Sequence, residues 1–291
     1  MNDTTNDSVN DPAFRVWLDQ AWNDHPEAPQ RIAAELAAHT ATWPDSADGA
    51  EAVRLAEHVM LAHLADPPAL QQLLARLPAD AAALAPSMQR AQWALATLAD
   101  ETPPSLPDAP RWRALHSVVM VLVSRGQVAQ ARARLLAEEA AAAAHVDTDA
   151  RKAYAATANN TASDLHSGPR GDAERDALML EAAELSRRAW QRAGGTWMNT
   201  ERADYLLALC HATLGHGAEA VAAAGACLAL CEAHGADAAE LFFAHECNVH
   251  AERAAGNAAR ALHHRERMVA LLADIGDAGM HGYCKKTLAK T

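Results

Sequence analysis

The sequence predicts an all-α protein, and three observations carry that prediction. Half of the 291 residues are apolar, only 4% are aromatic, and Ala dominates. Ala is the best helix former because it loses no side-chain entropy in a helix. Residues that favour strands never gather into alternating runs. Apolar residues recur instead at helical spacing, between breaks made of Gly or Pro.

In chain order, residues 1–11 are Asn, Asp, Thr and Ser with almost nothing apolar, and read as a disordered tail. A helix follows from Pro12, with Phe14, Val16, Trp17, Leu18 and Trp22 as its apolar content, until His25–Pro26 breaks it. A second carries Ile32 and Leu36. A third spans about 48–65 with Val53, Leu55, Val59, Met60 and Leu64. Pro67–Pro68 opens a short fourth helix. A fifth runs from about Ala79 through Trp93 and Leu98, kinked or restarted at Pro86. Residues 101–110 contain four prolines and read as a linker.

The composition changes at that linker. Residues 1–110 hold 5 basic and 16 acidic residues, whereas 111–291 hold 20 and 21. Twelve of thirteen prolines precede residue 111, and thirteen of fourteen glycines follow it. Four regions result: a tail (1–11), an N-terminal helical region of possible degenerate repeats (12–100), a linker (101–110) and a repeat region (111–291).

In the repeat region, 112–125 is a helix, Gly126–Gln127 a turn, and 128–145 the return helix. Asp147 or Thr148 caps a helix over 150–166, and a loop around Gly171 leads to one over 173–193. Asn199 or Thr200 caps the next helix, with Trp197–Met198 before it as a hydrophobic staple or an exposed tip. Two hairpins then turn at Gly215 and Gly256, and Asp237 with Glu240 has capping-box spacing. A short terminal helix follows Gly276.

The hairpins share an internal register. Gly126, Gly215 and Gly256 are each followed five residues later by Ala131, Ala220 and Ala261. Gly215 and Gly256 are 41 residues apart, and the 89 from Gly126 to Gly215 hold two units if the second turn is the loop near Gly171. This pattern resembles the tetratricopeptide repeat, a helix–turn–helix unit of about 34 residues. The spacing is similar to the extended repeats of kinesin light chain. The resemblance covers 112–275 and departs where His211 and Ala224 replace the repeat's aromatic residues. It implies a right-handed α-α superhelix of stacked antiparallel helix pairs. It also implies a concave face lined by first helices, with Arg113, His116, Asn159, Asn160, Arg202, Tyr205, Phe243, Glu246, His250 and Arg253 upon it. Asn159–Asn160 in mid-helix goes against propensity. The pair reads either as solvent-facing or neighbour-bonding, or as a contact to a bound peptide backbone.

Enzyme signatures are missing from the sequence. His245 to His250 superficially resembles a zinc-protease helix, but five residues place the two rings about 140° apart on an α-helix, and that motif needs four. Cys227 and Cys231 share a helix face, yet explicit zinc pairs sit on turns, so buried free thiols are the expectation. His263–His264 reads as part of a charged helix face. There is no P-loop, dinucleotide turn or nucleophile elbow.

The expected function is therefore a non-catalytic protein- or peptide-binding scaffold, without cofactor or metal, recognising an extended peptide that carries carboxylates. The acidic N-terminal half is expected either to cap the solenoid or to compete for its basic groove as an intramolecular cover. The alternatives are a regulator sensing a ligand or signal peptide, and a metal-dependent enzyme at the 210–250 His, Cys and Glu cluster. A net charge of −12 argues against nucleic acid. The lack of a basic-then-apolar leader, or of an apolar run near the roughly 20 residues of a membrane span, points to the cytoplasm. So do the five cysteines, an odd number.

Overall fold

The computed structural model describes residues 12–291, so the tail expected at 1–11 lies outside the described residues. The described residues form helices and turns, with no strand among them. The chain divides into two compact units, Met1–Ala137 and Glu138–Thr291.

The first unit contains α1 (Pro12–Asp24), α2 (Pro29–His39), α3 (Ala47–Glu57), α4 (Pro67–Leu74), α5 (Ala85–Leu98), α6 (Asp108–Ser124) and α7 (Val128–Ala137). The Pro-rich stretch 101–110 lies inside this unit. It joins α5 to α6, which pack together, and Gln89 Nε2 donates to Ser105 O at 2.9 Å. The expected fifth helix begins at Ala85 rather than Ala79. Pro86 occupies its first turn, where a missing N–H leaves no bond unmade.

The third helix departs further from expectation. Its α-helical part stops at Glu57, and His58–His63 continues as a π-helical turn, with Leu64 N bonded to Val59 O at 3.0 Å. A π turn accommodates one extra residue in a helix and rotates everything after it. Tertiary packing holds it: Val53, Leu55, Val59, Met60 and Leu61 are all buried. Burying each large aliphatic side chain contributes about 1.5–3 kcal/mol, enough to offset a locally poor hydrogen-bond geometry.

Glu57, at the join, is fully buried. Its carboxylate meets Arg90 Nε of α5 at 2.6 Å and accepts from Ser117 Oγ of α6 at 3.0 Å. One buried anion thus connects three helices.

The second unit contains α8 (Glu139–Ala144), α9 (Thr148–Ser167), α10 (Ala173–Ala193), α11 (Trp197–Thr213), α12 (Gly217–His234), α13 (Ala238–Ala254), α14 (Ala258–Leu271) and α15 (Ala278–Lys290). The return helix expected over 128–145 is two helices. The break comes where Glu139 is drawn to Arg188 and Arg192 of α10, at 3.3 and 3.1 Å. Helices α9/α10, α11/α12 and α13/α14 are packed pairs, and consecutive pairs touch through α10–α11 and α12–α13. Helices α9, α11, α13 and α15 lie side by side as one layer, against which α10, α12 and α14 pack.

The turn glycines adopt the backbone their spacing implies. Gly126, Gly215 and Gly256 have φ of +73°, +75° and +75°, a region that side chains resist. Gly217 serves differently. A Cβ there would lie 2.6 Å from Ala255 Cα, so its hydrogen lets α12 start directly against the end of α13. Buried Asn248 of α13 fastens the same two helices, donating to Ala224 O of α12 at 2.9 Å and to Ala244 O at 2.8 Å. Trp197 and Met198 form the first turn of α11 rather than preceding it. Asn199 accepts from Thr196 N at 2.9 Å, closing a capping box one turn earlier than expected.

Two expected outcomes follow from this packing. Glu57→Gln leaves the Arg90 guanidinium without its counter-ion and lowers unfolding free energy by about 3 kcal/mol. Urea unfolding followed by Trp fluorescence measures this, since five of the seven tryptophans precede residue 138. In α12, Gly217→Ala lowers the melting temperature through its backbone clash. Gly225→Ala, where nothing lies within 4 Å of the new Cβ, raises stability by about 0.5–1 kcal/mol.

Candidate functional site

A groove of about 680 Å³ runs along the α9, α11, α13 and α15 layer of the second unit. Asn159 and Ser163 enter it from α9, and Glu201, Arg202 and Tyr205 from α11. The start of α13 adds Asp237, Glu240 and Phe243. The 274–277 turn and α15 add Asp274, Asp277, Met280 and Tyr283. None of these residues comes from α10, α12 or α14.

Aromatic rings form its apolar strip. Tyr205 stands edge-on to Phe243 at 6.4 Å, and Phe243 is tilted against Tyr283 at 6.0 Å. Tyr283 is 60% exposed and Met280 39%, so this end is open. The Tyr205 hydroxyl donates to Glu246 Oε2 at 2.8 Å, which holds the ring in place from behind. Burial raises the Glu246 carboxyl above its ordinary range, against the lowering effect of that hydrogen bond.

Carboxyl groups dominate the remaining surface. Glu201, Asp237, Glu240, Asp274 and Asp277 face a single guanidinium, Arg202, which is already paired to Glu240 at 2.5 Å. Asp237 and Asp277 also cap α13 and α15, accepting from Ala239 and Glu240 N–H and from Met280 N–H respectively. Glu201 is buried, with Oε1 accepting from the Cys227 thiol at 3.0 Å and Oε2 unpartnered. Burial pushes its carboxyl pKa up, while the Cys227 contact opposes the shift.

The residues expected on one concave face separate as follows. Asn159, Arg202, Tyr205 and Phe243 line the groove, and Glu246 lies behind Tyr205. Asn160 is exposed beside Asn159. His250 sits 3.9 Å from Glu246, one helical turn away. Arg253 bonds the Thr291 carbonyl and does not line the groove. Arg113 and His116 belong to the first unit, where Arg113 is exposed and His116 is buried. Spacing alone did not single out Ser163, Asp274, Asp277, Met280 or Tyr283. The 274–277 turn and α15 join the groove only because the last hairpin folds back on α13.

The five cysteines are free and buried. Burial raises the Cys210 thiol to about 12, and contact with Cys227, then burial, raises Cys231, so both stay protonated. His245 packs on His264, with Nδ1 atoms 2.9 Å apart, and burial first, then His264, lowers it to about 4. Metal-ligating geometry appears elsewhere, in the first unit. There one ring nitrogen from each of His25, His58 and His63 lies within 4.8 Å of the others.

No protein-family model matches the chain, and no curated protein matches it. Among the described residues, no helix is long and apolar enough to cross a membrane.

Glu201 yields a pH prediction. Its folded carboxyl titrates above the ordinary 4.5, so between the two values the folded state holds the extra proton and stability falls as pH rises. Glu201→Gln, which keeps an acceptor for Cys227, is therefore more stable than wild type at pH 7. The two converge below pH 4.5 in denaturant titrations at stepped pH.

Proposed function

We propose that the chain is a non-catalytic adaptor of the tetratricopeptide-like class, its helix pairs winding as a right-handed superhelix, and that it binds an extended peptide in the groove of the second unit. The observation that carries this reading is the make-up of the groove. It is lined by the alternate helices α9, α11, α13 and α15 and by the segments entering them, as a concave repeat surface is.

From the lining we infer a different partner chemistry. Arg202 and Arg253 suggested a peptide with carboxylates, but Arg202 is paired with Glu240 and Arg253 lies elsewhere. Nor is this a basic groove for an acidic segment to cover. Asp237, Asp274 and Asp277 around a Tyr205–Phe243–Tyr283 strip suit a cationic side chain. Lys or Arg over an aromatic face gains about 0.5–2 kcal/mol, and the carboxylates add longer-range attraction. Asn159 and Ser163 supply hydrogen bonds that an extended backbone can use.

A second reading rests on volume. At about 680 Å³ the groove also falls within the roughly 300–1,000 Å³ of small-molecule sites. A small organic amine would use the same aromatic and carboxylate groups, making the protein a ligand-sensing regulator.

Fluorescence anisotropy with labelled ten-residue peptides tests both readings. The expected result is that a peptide alternating Lys with apolar residues binds and weakens with added salt, while its Glu counterpart does not bind. Tyr205→Ala and Phe243→Ala each weaken binding about tenfold, or about 1.4 kcal/mol. Equal binding of both peptides, or preference for the acidic one, refutes the cationic assignment. Displacement of the peptide by a simple alkylamine at low concentration favours the regulator.

A further inference from the structure

Two segments of the first unit bring three histidines together. His25 follows the last turn of α1, where its backbone N–H still bonds Ala21 O at 3.0 Å. His58 and His63 begin and end the π turn. Five residues apart on an α-helix they would point about 140° away from each other. The i→i+5 turn removes that divergence. Their Nε2 atoms are 3.1 Å apart, and the ring centroids 4.8 Å. His58 Nε2 is also 3.1 Å from His25 Nε2.

The proton positions are constrained. His25 Nδ1 lies 2.6 Å from Trp22 O. A carbonyl only accepts, so Nδ1 carries the hydrogen and His25 Nε2 presents a lone pair to the other rings. This is the backbone contact that orients histidine ligands of metals. One ion placed among the rings is in reach of a nitrogen from each.

The spacing fits. Bonds of about 2.0–2.1 Å in a tetrahedral site set nitrogens about 3.3 Å apart. Two of the three edges are already close to that, and the third lies within 4.8 Å, in reach of a side-chain rotation. The surroundings hold the rings. Trp22 stacks on His58 at 5.9 Å and meets His25 edge-on at 5.3 Å, while buried His116 of α6 stacks on the His58 ring at 5.6 Å. The three rings are partly buried.

We propose that His25, His58 and His63 bind one divalent transition-metal ion, Zn²⁺ by the chemistry of three neutral imidazoles, with one position left to water or an exogenous ligand. The ion ties the end of α1 to the π turn. The π turn, held by core packing, gathers donors that an α-helical continuation would disperse.

The test uses the full chain, stripped with chelator and titrated with Zn²⁺, and with Co²⁺ as a spectroscopic probe. One equivalent binds, with a tetrahedral Co²⁺ spectrum and a rise in melting temperature. Zinc X-ray absorption of the wild-type protein shows a nitrogen shell at about 2.0–2.1 Å with imidazole scattering. His25→Gln and His63→Gln each weaken binding by about 100-fold or more. Because the chain has 15 histidines, His263→Gln/His264→Gln serves as the control and binds as wild type does. The proposal is overturned by no stoichiometric uptake, or by uptake unchanged in a His25→Gln/His63→Gln variant. A sulfur shell at about 2.3 Å, which would place the ion on cysteines, overturns it equally. If the variants do not fold, the wild-type absorption spectrum decides alone.

Discussion

Close approach between Ala-lined helices is the constraint on which the second unit depends. Ala203, Ala208, Ala220, Ala224, Ala244, Ala251 and Ala261 are all buried at helix contacts. A small side chain buries little area by itself, but it lets two helix backbones come near enough for main-chain groups to participate. Asn248 exploits that distance when it reaches the Ala224 carbonyl across the α12–α13 contact. Gly217 exploits it where α12 starts against Ala254 and Ala255. Larger side chains such as Phe242 and Met268 fill the remaining core. Phe243 and Tyr283 gather instead on the groove face, beside Tyr205.

The same packing explains the electrostatics of the groove. Carboxyl groups at the starts of α13 and α15 are there because free backbone N–H groups need acceptors. Aligned first helices bring those caps to one end of one face. Local capping, repeated through the layer, therefore contributes to a collective negative surface. Arg202 offsets part of it through Glu240. Glu201 relieves its own burial by favouring the protonated form. The groove thus combines aromatic area with a cluster of acidic side chains.

In the first unit a buried anion and a local irregularity are adjacent in sequence. Glu57 anchors the end of α3 to α5 and α6, and the π turn begins at the next residue. His58 is stacked on His116, whose neighbour Ser117 bonds Glu57. The polar contact and the ring stack therefore hold the same junction. The extra residue of the π turn is tolerated there because the flanking side chains are fully packed.

Much of the fold was legible in the residues themselves. Ala content and apolar spacing specify helices. The positive-φ turns at Gly126, Gly215 and Gly256 follow from a property of glycine that no tertiary contact is needed to reveal. That local register also brought Asn159, Arg202, Tyr205 and Phe243 to one face, because first helices of equal period present equivalent positions. Other features were decided by long-range contacts. The break between α7 and α8 occurs at a glutamate engaged by arginines some fifty residues later. The charge of the groove depends on which acidic side chains converge, and α15 enters it only by folding back on α13. The His25, His58 and His63 cluster was invisible to spacing rules built on 3.6 residues per turn. The π turn changes that period, and core packing, rather than any local signal in residues 58–63, selects it.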